Sequence, residues 1–367
     1  MIPSDFSCDD HRWMRRALRL ALRSRGRTWP NPGVGCVIVR DGVVLGEGRH
    51  ERCGQAHGEV QALAACAAAG NDPRGATAYI TLAPCTKQGR TPPCCGTLIA
   101  AGVARVVAAQ TDPIQDDAAA ILSAAGIAYE VGCEQAAAEA MHAGFRSRAV
   151  QGRPRFIGKW AATLDGALAT HQGHSAWITS EQARAYSRRR RCYVDAILVG
   201  AATASADDPQ LLASEAGRDP VRVILCGAQL VPSVTSRLLR SVDRAPVVLV
   251  HDQRSVGAAL DAACAHGAEA LSVASVHDCA AVAAALYDYG LSEVLVEGGA
   301  RVHGAFLAAG LYDRLECYWG GRTLGGGMPI ANGSGVERIA MGAAWRPVAA
   351  PRVLGDTVYC PFERGDE

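Results

Sequence analysis

A chain of 367 residues is long enough for two or three domains at about 150 residues each. With 49% hydrophobic and 20% charged residues, it can bury large cores and is not a disordered chain. Its 37 basic and 36 acidic side chains leave a net charge of +1, and aromatics amount to only 5%, which argues against binding nucleic acid or a membrane surface.

The segment Met1 to Arg25 is amphipathic and arginine-rich rather than a basic tip before an apolar core, so it does not read as a secretory signal. Asp5, Asp9 and Asp10 speak against a mitochondrial presequence. Uninterrupted apolar windows stay well short of the roughly 18 residues a membrane span needs. The expected location is therefore the cytoplasm. There the 14 scattered cysteines stay reduced, and clustered ones read first as metal ligands.

In chain order, Asp9 or Asp10 is expected to cap a helix to about Ser24, with Trp13, Ala17, Leu20 and Ala21 on one face. Trp29-Pro30-Asn31-Pro32-Gly33 is a rigid loop. A strand follows at Val34–Val39, a tight turn at Asp41-Gly42 and a return strand at Val43–Gly46. His57–Ala69 reads as a helix closed by Gly70, and Thr77–Leu82 as a strand leading into the loop Pro84–Cys95. Thr97–Ala101 is expected as a helix, Val103–Ala108 as a strand, and Ala118–Ala125 and Glu134–Phe145 as helices. Gln151-Gly152-Arg153-Pro154 is a linker signal, which predicts domains at 1–150 and 151–367. Beyond it, short β-branched runs at 156–161, 197–199, 221–226, 247–250 and 294–296 alternate with helical stretches at 180–190, 256–266 and 280–289. That rhythm predicts a second α/β domain.

His57-Gly58-Glu59, Pro84-Cys85 and Pro93-Cys94 form the first constellation. The H-x-E…P-C-x-x-C pattern is the signature of zinc nucleobase deaminases, although here eight residues separate Cys85 from Cys94. His57, Cys85 and Cys94 supply three ligands, which leaves the fourth zinc position for a water whose pKa zinc lowers toward about 7. Helix starts near His57 and Cys94 favour thiolates. Glu59, two residues from a ligand, is placed to move the water's proton to a ring nitrogen and then to a leaving amine. A structural zinc would instead recruit Cys95 as a fourth ligand.

These residues, with Thr81-Leu82-Ala83-Pro84-Cys85, Gly89-Arg90-Thr91-Pro92-Pro93-Cys94, Pro30-Asn31-Pro32, Val34 to Val39 and Gly46 to His50, resemble the bifunctional riboflavin-biosynthesis pyrimidine deaminase/reductase family. The resemblance covers nearly the whole chain. It implies a cytidine-deaminase-like three-layer α/β/α domain followed by a dihydrofolate-reductase-like α/β domain, with Zn2+ and NADPH as cofactors. The substrate it implies is a small pyrimidine ribosylamine phosphate, and the assembly a homo-oligomer. It places Asn31 and His50 on the pyrimidine and Arg90 near the phosphate, with Lys87 as a further cation there. In the second half it places Ser175, Arg191, Leu211 and Glu297 on the substrate, with Lys159 and Asp165 close to the chemistry. Ala161, Trp177, Thr203, Asp207, Gly298 and Gly299 border the nicotinamide cofactor. Without a Gly-x-Gly-x-x-Gly run after a first strand, an ordinary Rossmann dehydrogenase is disfavoured.

The chain departs from the family pattern at Ala83, where glutamate is usual, and at Thr86-Lys87, where Ser-His is common. It also has Ala167 in place of a basic residue, Ser214 in place of an arginine, and Cys226-Gly227 in place of Asp-Ser; the late Ala-Pro-Lys-Leu run is Gly320 to Thr323. With Ser214, Arg191 is expected to hold the phosphate alone, or Arg218 or Arg222 to swing in. The departures motivate an alternative, a paralogue serving a specialised pteridine-type pathway with a weakened reductase. A nucleic-acid deaminase is opposed by the charge, and an inert binding module by the intact His57, Glu59, Cys85 and Cys94 set.

Overall fold

A computed structural model describes residues 6–88, 92–115, 117–213, 218–227, 231–253, 257–333 and 335–365. The chain divides into two compact units, Met1–Gly152 and Arg153–Glu367.

The first unit opens with α1 (Cys8–Leu22), capped by Ser7 rather than by Asp9 or Asp10. The Ser7 hydroxyl accepts the Asp10 backbone N–H at 3.1 Å, and the Asp10 carboxylate accepts the Ser7 N–H at 3.0 Å, a capping box. Asp10 thereby turns inward, where it also accepts from Arg105 at 2.6 Å and from the Tyr79 hydroxyl at 2.8 Å. β1 (Gly35–Arg40) and β2 (Val43–Arg49) form the hairpin about Asp41-Gly42, both with positive φ as the turn requires. Then come α2 (Gly58–Ala68), β3 (Thr77–Ile80), α3 (Cys94–Ala100), β4 (Arg105–Ala108), α4 (Ala118–Ala124), β5 (Ala128–Val131), α5 (Gln135–Met141) and α6 (Ala143–Arg146). The sheet runs β2-β1-β3-β4-β5, antiparallel through the hairpin and parallel from β3 onward.

Alternation along β1 sorts the core into two layers. Cys36 and Ile38 pack with Ala62, Cys66 and Leu98 on one face, while Val37 and Val39 pack with Trp13, Met14 and Ala17 on the other. α2 lies very close to β2. A Cβ at Gly46 would come within 2.4 Å of the Ala62 carbonyl oxygen, and one at Gly48 within 2.4 Å of the Ala62 nitrogen. Two glycines on one strand face thus set how deep the start of α2, with His57 and Glu59, sits.

The second unit contains β6 (Arg155–Thr163), β7 (Ala167–Ala169), α7 (Glu181–Arg190), β8 (Ala196–Gly200), α8 (Ala201–Asp207), β9 (Val221–Cys226), β10 (Val247–Asp252), α9 (Ala258–Ala265), β11 (Glu269–Val273), α10 (Cys279–Asp288), β12 (Glu293–Val296) and α11 (Ala300–Ala308). It closes with β13 (Tyr312–Gly320), β14 (Met328–Pro329), β15 (Trp345–Pro347), β16 (Arg352–Leu354) and β17 (Thr357–Arg364). The main sheet runs β11-β10-β9-β8-β12-β6-β13-β17-β15. It is parallel from β11 to β13 and antiparallel at β17 and β15. β9 and β12 are buried at every position, the mark of strands covered on both faces.

Candidate active sites

In the first unit His57 is the residue before α2, and Cys94 is the first residue of α3 rather than lying ahead of the helix. His57 Nδ1 stands 3.3 Å from Cys94 Sγ and 3.6 Å from Cys85 Sγ. Zinc bonds of about 2.3 Å to sulfur and about 2.0 Å to nitrogen in a tetrahedron place those atoms about 3.6 Å apart. The three side chains therefore fit zinc. Their ligand atoms all lie within 4.8 Å of one another, the one such His, Cys or carboxylate group among the described residues. The Cys94 backbone N–H, at the start of α3, donates to Cys85 Sγ at 3.2 Å. Hydrogen bonds from Cys94 and His57 hold the Cys85 thiol down at about 4, and Cys94, donating to Cys85, goes up. Cys95 points away, buried in the core and donating to the Pro84 carbonyl at 3.5 Å.

Glu59 is 3% exposed, and its Oε2 has no hydrogen-bond partner. Burial, reinforced by the Cys85 sulfur, pushes its carboxyl up to about 6. His50 bonds the Ala56 carbonyl through Nδ1 at 3.1 Å, leaving a buried, unpartnered Nε2. Burial lowers its pKa and favours the neutral ring, so with the proton on Nδ1 the Nε2 atom is an acceptor. Asn31, His50, His57, Glu59, Cys85 and Lys87 line one cavity of about 370 Å³. Arg90 lies outside the described residues. Ala83 also lines the cavity, bonded through its N–H to the Gln110 carbonyl. Asp112 and Gln115 line it too, and were not foreseen; the signal was a turn-forming Asp112-Pro113 just beyond a strand.

In the second unit Lys159, Arg191 and Glu297 come together. Arg191 pairs with Glu297 through two hydrogen bonds of 2.9 and 2.8 Å, and Lys159 Nζ lies 3.6 Å from the same carboxylate. Burial raises the Glu297 carboxyl, but the two cations outweigh it and bring it down to about 2. Arg191 also donates to the Leu212 carbonyl at 3.0 Å, which ties in the segment of Leu211, a buried residue with φ +55°. Arg222 does not swing in. It is fully buried and bonds the carbonyls of Gln210, Leu238, Ser241 and Ala245. Ser214 lies outside the described residues.

Asp165 is exposed, and its carboxylate accepts the backbone N–H groups of Leu324 at 2.9 Å and Gly325 at 2.7 Å and the Thr163 hydroxyl at 2.5 Å. It organises that glycine-rich loop. The loop also explains Ala167: a Cβ on Gly327 would lie 2.3 Å from the Ala169 carbonyl oxygen and 3.3 Å from the Ala167 methyl, so the pair is flush and small. Ser175 and Trp177 are exposed, with the Arg184 guanidinium 4.2 Å over the Trp177 ring. Ala161 lies on β6 opposite Tyr318, and Asp207 ends α8. Gly298 and Gly299 precede α11, and Thr203 Oγ1 sits 3.0 Å from where a Gly299 Cβ would be. A helix start cleared of side chains suits a pyrophosphate, and these residues fit a dinucleotide.

The sequence of the second unit matches the RibD C-terminal domain over residues 154–358, and that of the first the cytidine and deoxycytidylate deaminase zinc-binding region over residues 7–110. The riboflavin biosynthesis protein RibD of Aquifex aeolicus is 36% identical over 329 residues, covering 88% of this chain and 90% of its own. A diaminohydroxyphosphoribosylaminopyrimidine deaminase/5-amino-6-(5-phosphoribosylamino)uracil reductase from Thermotoga maritima is similar in structure, with a TM-score of 0.86, 29% identity and coverage of 97% and 99%. RibD of Acinetobacter baumannii gives 0.85, 32% and the same coverage. These relatives do not favour the specialised-pathway alternative.

Proposed function

The chain belongs to the RibD family of riboflavin-biosynthesis deaminase/reductases, and from that premise we propose how its residues divide the two reactions. The first is hydrolysis of the 2-amino group of 2,5-diamino-6-ribosylamino-4(3H)-pyrimidinone 5′-phosphate. The second is reduction of the ribosyl side chain to ribityl with NADPH. The observation that carries the first is the buried, unpartnered Glu59 Oε2 beside the triangle of His57, Cys85 and Cys94.

His57, Cys85 and Cys94 hold zinc, which when bound acidifies water and so makes a nucleophile available at neutral pH. Glu59 takes one proton of the attacking water and gives it to the ring nitrogen, then takes the second from the added hydroxyl and gives it to the amine, which leaves as ammonia. His50 Nε2 accepts from the pyrimidine edge, Asn31 orients the ring, and Lys87 holds the phosphate, with Arg90 assigned there by resemblance alone. In the second unit Lys159, Arg191 and Glu297 form the polar wall for the ribose phosphate, with Leu211 and Ser175 as its neighbours. Trp177, Ala161, Thr203, Asp207, Gly298 and Gly299 border NADPH. Among the described residues no helix is long and apolar enough to cross a membrane. The enzyme is read as cytoplasmic, and the near-zero charge supports a reading with neither membrane surface nor nucleic acid as partner. A homo-oligomer would give exposed apolar side chains such as Ile339 (97%) and Val353 (74%) a surface to bury against.

Mass spectrometry of the diaminopyrimidine phosphate incubated with enzyme tests the order of events. Without NADPH only the deaminated product should form, and with it the reduced one. Cutting between Gly152 and Arg153 should leave each activity on its own piece. Reduction of the diamino compound before deamination, or no activity in soluble halves, would contradict the division.

Metal content tests the ligands. Cys85→Ser should lose zinc, and Cys95→Ser should keep it. Unchanged zinc in the first variant, or loss in the second, would overturn the assignment.

A further inference from the structure

β3 ends at Ile80 and residues 81–88 enter neither strand nor helix, so the backbone N–H groups of Thr86 and Lys87 need acceptors from elsewhere. One atom serves both: Gln115 Oε1 accepts Thr86 N–H at 2.9 Å and Lys87 N–H at 2.9 Å. The Thr86 hydroxyl lies 3.2 Å from the same oxygen and 2.6 Å from Asp117 Oδ1; its single proton goes to the shorter, charged contact. Gln115 is itself held by a tight turn, in which its N–H donates to the Asp112 carbonyl at 3.3 Å and the Ile114 N–H to Asp112 Oδ1 at 2.9 Å. Gln115 and Lys87 face the same cavity.

We propose that Gln115 is a positioning residue for deamination, whose carbonyl oxygen clamps the Thr86-Lys87 backbone and so fixes the Lys87 ammonium against the substrate's phosphate. The proposal rests on the reading above that Lys87 meets the phosphate. A lysine on a free loop would pay in ordering entropy for each phosphate it bound, and a clamped backbone has already lost that freedom. The clamp therefore acts on recognition of the phosphorylated substrate and leaves the chemical step to Glu59.

The test compares wild type with Gln115→Met, Lys87→Met and the double variant. The readout is the phosphate preference, kcat/KM for the phosphorylated diaminopyrimidine divided by kcat/KM for its dephosphorylated form. Gln115→Met, similar in length but without the acceptor, should lower that preference about tenfold, the scale of two lost hydrogen bonds. The loss should lie in KM, with zinc retained. Lys87→Met should lower it at least as far, and the double variant should match Lys87→Met within about twofold, because one residue acts through the other. Hydrogen exchange at the Thr86 and Lys87 amides should be slow in wild type and in Lys87→Met, and fast in Gln115→Met. An unchanged preference in Gln115→Met alongside a reduced one in Lys87→Met overturns the clamp and leaves the Lys87 reading standing. An unchanged preference in Lys87→Met overturns that reading, and with it the route through which Gln115 is said to act. A double variant with multiplied losses overturns the proposal by making the two residues independent.

Discussion

Glu59→Gln should keep its zinc and lose ammonia release by about 10²–10⁴-fold, the scale of a positioned general acid–base. The substitution preserves shape and hydrogen-bonding length but cannot carry a proton. Two polar neighbours in the cavity are already committed elsewhere. His50 has its Nδ1 committed to the Ala56 carbonyl, and its burial opposes the charged form. Asp112 holds the Ile114 N–H at 2.9 Å with the same carboxylate that faces the cavity. Ammonia release is read by a coupled assay and zinc by metal analysis on the same preparation. Supplied with the deaminated intermediate, the variant should reduce it at the wild-type rate, which separates a lesion in the first unit from general damage. Ammonia release within threefold of wild type would mean that another group moves the protons.

Most of that site was readable in the sequence, because its parts carry local signals. His57-Gly58-Glu59 stands at a helix start closed by Gly70, and prolines precede both cysteines. What was not readable are contacts between distant segments. Gln115 lies 28 and 29 residues from the amides it accepts, and nothing in its own neighbourhood announces a clamp. Asp10 was read as a cap because it is acidic at a helix start; the capping box pairs it locally with Ser7, three residues away, whereas its inward contact with Arg105, 95 residues away, shows only in the folded chain. β5 was missed for a different reason: Ala128-Tyr129-Glu130-Val131 is an edge strand, only partly buried, so it lacks the alternation that marks one. In the second unit resemblance placed Asp165 close to the chemistry, and the folded chain ties its carboxylate to the backbone of Leu324 and Gly325, a contact no local pattern announces. Ala167, which looked like a lost charge, is a packing partner of Gly327. Local pattern gave the frame and the metal triangle, and only the folded chain shows which polar groups are already engaged.

Glu297→Gln should damage the second unit severely. The carboxylate is 8% exposed and answers two cations, Arg191 at 2.8 Å and Lys159 at 3.6 Å, themselves 16% and 17% exposed. Removing one member of a buried ion pair costs about 3–5 kcal/mol, because the remaining charges stay buried without compensation. In a unit of this size each kcal/mol moves the midpoint by about 2–4 °C, so the second unit should melt roughly 10 °C earlier while the first is unaffected. The acid limb gives an independent check. Glu297 has its pKa lowered from 4.5 to about 2, so its stabilisation is fully present above about 4.5 and is lost as pH falls toward 2. Wild type should lose stability through that window, and Glu297→Gln, with no carboxyl to protonate, should show a flatter slope there. Reduction should fail together with stability, since Arg191 loses the partner that orients it, while deamination continues. A second-unit midpoint within 2 °C of wild type, or an unchanged acid slope, would show that Lys159 and Arg191 are held in place without Glu297, and that their charges are balanced by water or by the phosphate they are proposed to bind.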